Sequence, residues 1–64
     1  MDIGQRLKQF RILLGCKQEE FVKGIMSESY YSKIERGIGE IRITALIAIL
    51  NKNRISLQDF FGEV

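Results

Sequence analysis

The chain contains no proline and no histidine, a single cysteine (Cys16), and no apolar run near the length of a membrane span. Each absence excludes something. Without proline nothing breaks a helix from within, and the Ala, Leu, Lys, Glu and Gln spread along the chain favour helices. One thiol cannot close an intramolecular disulfide, so a reducing, cytoplasmic setting is expected and Cys16 reads as a small buried hydrophobe. No signal-peptide pattern opens the sequence, and no membrane partner is expected. Enzyme chemistry has little to work with. There is no imidazole, no second thiol, no glycine-rich phosphate loop after a strand and no carboxylate with a visible acid–base partner. Neither catalysis nor a metal or other cofactor is expected.

What is present suffices for one domain. A chain of 64 residues, 45% of them apolar, makes a single unit over 1–64 with a small core. The net charge of +2 is modest, and Glu19, Glu20, Glu28, Glu35 and Glu40 crowd the middle. Any surface that faces a polyanion must therefore be a narrow basic stripe.

Apolar spacing divides the chain into helices. Ile3, Leu7, Phe10 and Leu14, at intervals of four, three and four, form one stripe. Asp2 suits the N-cap of that helix and Gly15 its stop. A second helix runs from Lys17 to about Lys23, with Phe21 and Val22 inward and Glu19 and Glu20 in its first turn. Gly24 breaks it, and Ile25 and Met26 fill the turn. Ser27 suits the N-cap of a third helix, Glu28 to about Arg36, with Tyr31 and Ile34 on its inner face and Gly37 closing it. A loop follows over 37–40. A fourth helix, about Ile43 to Lys52, carries Leu46, Ile47, Ile49 and Leu50 around an apolar face. After a turn over 51–55, Ser56 and Asp59 resemble a capping box that opens a short helix through Phe60 and Phe61. The expected fold is all-α, a compact five-helix domain with no strand.

The order of elements between Gly15 and Gly37 is more specific. A helix led by Gln18, a short turn and a Ser-capped helix ending Ser32-Lys33-Ile34-Glu35-Arg36-Gly37 resemble the helix-turn-helix of the phage repressor and Cro class. The match is spread over Leu7, Arg11, Gly15, Gln18, Phe21, Ser32, Ile34, Glu35, Arg36 and Gly37, and the close from Ile55 to Phe61 is similar too. Two positions depart from that pattern. Lys17 stands where Thr or Ser usually precedes Gln18, which loses a capping bond, and Cys16 takes a usual Leu position. The interval from Gln18 to Ser32 is one residue shorter than in most repressors of the class. The segment Lys23 to Ser29 is instead similar to the Rgg/MutR regulators and their peptide-sensing relatives. In those, such a domain precedes a helical-repeat domain that binds a signalling peptide. The resemblance implies a transcription regulator with its helix-turn-helix at about 17–36 and double-stranded DNA as partner. It also implies a homodimer on a two-fold-related site, and a peptide partner only where a C-terminal domain exists.

A helix fits the major groove with its first turns nearest the base edges. Glu28, Ser29 and Lys33, read as lying away from Tyr31 and Ile34, are the candidate base contacts. Lys33 would donate to guanine O6 or N7 and Ser29 is permissive. Glu28 would accept from cytosine N4, or else only place a favourable charge at a helix N-terminus. Tyr30 is read as the exposed member of the tyrosine pair, meeting a phosphate or a thymine methyl, or as partly exposed packing. Ser27 and Gln18 stand at helix starts, where polar groups hold phosphates. Arg36 is a phosphate cation, Arg42 a further one, and Lys17 is more simply a solvated charge. Glu35 is withheld from reading, because the resemblance implies a largely buried ion pair with Arg11 that joins the first and third helices. Ile47, Ile49, Phe60, Phe61 and Val64 are candidates for a dimer interface, or else ordinary core. The alternative function is a protein-interaction or antitoxin-like module on the same scaffold. It would keep the core and the ion pair without needing Lys33 or Arg36, and would lack steeply salt-dependent binding to duplex DNA.

Overall fold

Three of the five helices begin where a side-chain oxygen takes one of the backbone N–H groups that a helix start leaves unpaired. The Asp2 carboxylate accepts from the Gln5 N–H (3.1 Å), Ser27 Oγ from the Tyr30 N–H (3.2 Å) and Ser56 Oγ from the Asp59 N–H (2.9 Å). The computed structural model describes residues 2–62, which form α1 (Ile3–Leu14), α2 (Gln18–Val22), α3 (Glu28–Glu35), α4 (Ile43–Lys52) and α5 (Leu57–Phe61). There is no strand among the described residues, so the all-α, five-helix expectation holds. Lys17, preceding α2, has no acceptor to offer the helix. Glu20 Oε1 accepts from its backbone N–H at 3.0 Å and supplies only the reciprocal half of a capping box. Gly15 ends α1 in the left-handed conformation (φ 72°), where a side chain would be strained.

The core gathers residues from all five helices. Leu7, Phe21, Val22, Tyr31, Ile34, Leu46, Ile49, Leu50 and Phe60 are buried, with Ile55 from the α4–α5 turn. Ile3, Phe10, Cys16, Ile25, Met26, Ile41 and Phe61 flank it. Ring pairs close its two ends, Phe10 with Phe60 at 5.7 Å and Phe21 with Tyr31 at 5.8 Å. Two side chains tie distant helix ends together. Arg6 Nε donates to the Phe60 carbonyl (2.8 Å), and Asn53 Nδ2 donates to the carbonyls of Phe21 (2.9 Å) and Ile49 (2.8 Å).

Several expectations need correcting. Leu14 belongs to the apolar stripe of α1 yet is 48% exposed. The buried residues of α1 are Gly4 and Leu7 in its first half, and Ile12, Leu13 and Leu14 at its end are all exposed. Ile47 is turned outward, because the buried face of α4 centres on Leu46, Ile49 and Leu50 and Ile47 stands about 100° round from Leu46. Ile49 and Phe60, offered for a dimer interface, are fully buried core, and Phe61 is half-buried. Val64, the remaining interface candidate, lies outside the described residues. No helix among them is long and apolar enough to cross a membrane.

Candidate nucleic-acid interface

The α3 helix is fixed along one side and open along the other. Tyr31, Ile34 and Glu35 are its buried residues. Ser29, Lys33 and Arg36, spaced four and three apart, form a continuous exposed ridge on the opposite side. Glu28 is exposed as well, but at 100° per residue it stands only about 60° round from Tyr31. It occupies the edge of the helix start and not the ridge, contrary to the expectation that it shares a face with Ser29 and Lys33. No cation pairs with it among the described residues, where Arg11–Glu35 is the one ion pair.

That pair is the strongest polar feature of the domain. Arg11 Nε donates to Glu35 Oε2 at 2.6 Å and Nη2 to Oε1 at 3.0 Å, a two-pronged contact between α1 and α3. Arg11 Nη1 also donates to the Cys16 carbonyl (3.1 Å), which holds the turn into α2. Gln18 Nε2 donates to Glu35 Oε1 at 3.0 Å. The side chain expected on a phosphate is thus turned onto α3, and it brings the start of α2 beside the end of α3. The Tyr31 hydroxyl is buried beside this cluster but makes no hydrogen bond of good geometry. Burial alone would raise the Glu35 carboxyl. Arg11, the adjacent Tyr31 hydroxyl and Gln18 outweigh that and hold it below the ordinary carboxylate value. Its hydrogen bond in turn raises the Arg11 guanidinium. Burial, and then the Glu35 carboxylate, push the Tyr31 hydroxyl far above its usual range.

Ser27 is exposed, with its hydroxyl engaged in capping α3. Arg36 caps the other end; its Nε donates to the Ser32 carbonyl (3.3 Å), and the guanidinium remains exposed. Gly37 then reverses the chain with φ 80°. Arg42 is exposed at the start of α4, where no side chain caps the helix. Tyr30 is 43% exposed, but its hydroxyl donates to the Glu40 carbonyl in the α3–α4 loop. The elements therefore present two short basic groups, Lys33 with Arg36 along α3 and Arg42 beside the loop. No group of His, Cys, Asp and Glu suited to a metal ion occurs among the described residues.

The ion pair joins α1 to α3, Gln18 joins α2 to α3, and the side of α3 with Ser29, Lys33 and Arg36 is left exposed. The family of helix-turn-helix domains matches residues 7–60. The chain belongs to the helix-turn-helix family. No curated protein and no solved structure matches it. The family assignment carries the coarse function, a domain for binding double-stranded DNA in a transcription regulator, and it is not an enzyme family. In this helix-turn-helix domain Gln18, at the start of α2, is bonded to Glu35 at the end of α3.

Sequence reasoning missed three contributors. Gly4 lies directly against α3, where a Cβ would come within 2.0 Å of the Ile34 carbonyl oxygen. A signal existed, since a glycine inside a helix is unfavourable and implies a close approach. Arg6 and Asn53 carried no comparable signal, because their acceptors are backbone carbonyls 54 and 32 residues away in the chain.

Proposed function

We propose that this domain recognises a specific double-stranded DNA sequence by laying α3 in the major groove, as part of a transcription regulator. The observation that supports it is the division of α3 into a buried side (Tyr31, Ile34, Glu35) and an exposed ridge (Ser29, Lys33, Arg36). In this reading Lys33 donates to a guanine edge, Ser29 makes a permissive base contact and Arg36 meets a phosphate. Glu28 favours the helix start and discourages phosphate there. Ser27 caps α3, with its exposed position next to the backbone. Gln18, already bonded to Glu35, acts as a brace for the reading helix.

Lys33→Ala is expected to relax base preference at one position and to cost about 1–3 kcal/mol on the best site. Arg36→Ala should weaken binding to every duplex alike and lower the salt slope by about 1. Selection from a random duplex library, followed by anisotropy titrations over a range of salt, reads both. Binding that ignores salt, or two variants that both behave as wild type, would sink the reading in favour of a protein-interaction module.

The finer reading is a homodimer on a two-fold-related site, with reading helices about 34 Å apart. Its face is best sought at Ile47 and Ile43, four residues apart on α4 and both exposed. Ile47→Asp should leave the domain folded and reduce the DNA complex from two copies to one. Unchanged stoichiometry, measured by analytical ultracentrifugation, removes that face from the proposal. The shortened turn before α3 supports placing the domain among peptide-sensing regulators of the Rgg/MutR kind, with a signalling peptide as partner only where a helical-repeat domain follows.

A further inference from the structure

The α3–α4 connection is tied down at both ends and gripped in the middle. The N–H of Gly37 donates to the Ile34 carbonyl (3.1 Å), and those of Ile38 and Gly39 donate to the Lys33 carbonyl (3.0 and 3.1 Å). At the far end Ile41 packs against the core. Glu40 lies exposed between them. Beneath the loop is an open hollow of about 350 Å³ bordered by Gly4, Ile34, Gly37, Gly39, Glu40 and Ile41. Glu40 thus stands at the rim of an open hollow that Asp2 and Ile3 also border. Among the described residues, the hydrogen bond that Glu40 makes is the one its carbonyl accepts from the Tyr30 hydroxyl.

We propose that Tyr30 is a positioning residue of the DNA interface. By gripping the Glu40 carbonyl it holds the loop against the reading helix and so sets the point from which Arg42 meets a phosphate. The proposal rests on the DNA-binding reading above. Arg42 follows Glu40 by two residues, which span at most about 7 Å, so a shift at Glu40 is passed on to Arg42. A phenol has one O–H to donate. With that proton on Glu40, Tyr30 does not also donate to a phosphate, and its effect on DNA runs through the loop.

The two routes differ in salt dependence. A neutral hydroxyl that touches a phosphate releases no counterion, whereas an arginine that does so releases one, so only loss of the arginine contact lowers the salt slope. Binding of Tyr30→Phe, Arg42→Ala and the double variant to a short mixed-sequence duplex separates them. Each single change is expected to weaken binding about threefold to tenfold. Each should also lower the salt slope by about 0.9, and the double variant should bind no more weakly than Arg42→Ala alone. Multiplying losses, or a Tyr30→Phe slope equal to wild type, overturns the proposal in favour of direct contact.

A second measurement needs no DNA. Backbone ¹⁵N order parameters for residues 39–42 should fall in Tyr30→Phe from about 0.85 toward 0.6, with the helices unaffected. Unchanged values overturn the grip on the loop even if the wild type binds duplex. A wild-type domain that binds no duplex at low salt overturns the DNA reading and the Arg42 role with it, while the order parameters still judge the grip.

Discussion

Glu35→Gln is expected to lower the unfolding free energy by about 3–5 kcal/mol, although the new side chain has nearly the same shape. The cost arises from what is left behind. The Glu35 side chain is 4% exposed and that of Arg11 15%, so removing the carboxylate strands a guanidinium with little water to solvate it. A 64-residue chain has a total stability of roughly 3–10 kcal/mol. The single variant should therefore sit at the edge of folding, its Tm lower by roughly 4–8 °C for each kcal/mol. Replacing both partners, Arg11→Met with Glu35→Leu, should recover most of the loss, because a buried pair exchanged for apolar residues is often neutral. A double variant as unstable as the single one would show that the pair contributes more than the relief of its own desolvation.

The same residue predicts a pH dependence of definite sign. The folded-state pKa of Glu35 is lowered, so its contribution is fully present above the unfolded carboxylate value of about 4.3. That contribution is lost as pH falls through the folded value. The stability gap between wild type and Glu35→Gln should stay constant from neutral pH down to about 5 and close below about 4. Paired urea titrations at several pH values measure it. A gap that is unchanged at low pH would mean that the charge of Glu35 is not what the fold uses.

Gly4→Ala should also destabilise strongly, by at least about 2 kcal/mol. Helix propensity argues the other way, since alanine in place of glycine gains up to about 1 kcal/mol in a helix. The close approach decides the sign. A Cβ at Gly4 would stand 2.0 Å from the Ile34 carbonyl oxygen and 2.9 Å from its carbonyl carbon, both backbone atoms that no rotamer change can move. The first turn of α1 must then back away from the end of α3, and the Arg11–Glu35 contact between the same two helices loosens with it. Gln5→Ala, exposed in the same turn, is the control and should change stability by less than about 0.5 kcal/mol. A thermal melt in which Gly4→Ala is as stable as wild type would mean that α1 and α3 do not approach this closely.

Much of the domain was legible from local pattern. Asp2, Ser27 and Ser56 marked three helix starts, and Gly15 marked a stop. The 3.6-residue period separated Tyr31 and Ile34 from Ser29 and Lys33 on α3. The same reasoning failed at the end of α1, where Leu14 on the apolar stripe is exposed, and where an apolar residue stood off the buried face, as at Ile47. It also put Glu28 on the ridge, which the angular spacing does not allow. The Arg11–Glu35 pair was legible only through the resemblance to repressors, since nothing in the spacing of two residues 24 apart requires them to meet.

The amino-acid sequence by itself determined the five helices, the inward side of α3 and the helix-turn-helix assignment. The helices and the inward side of α3 rest on caps and periodicities that act within a few residues, where chain connectivity already holds the groups together. The helix-turn-helix assignment rests on the resemblance of the residues from Leu7 to Gly37 to repressors. Only the tertiary structure decided what those helices do to one another. It set Gln18 on Glu35, Tyr30 on Glu40 and Gly4 against the backbone of Ile34. Each joins residues on different elements, and their separation is decided by how the core packs.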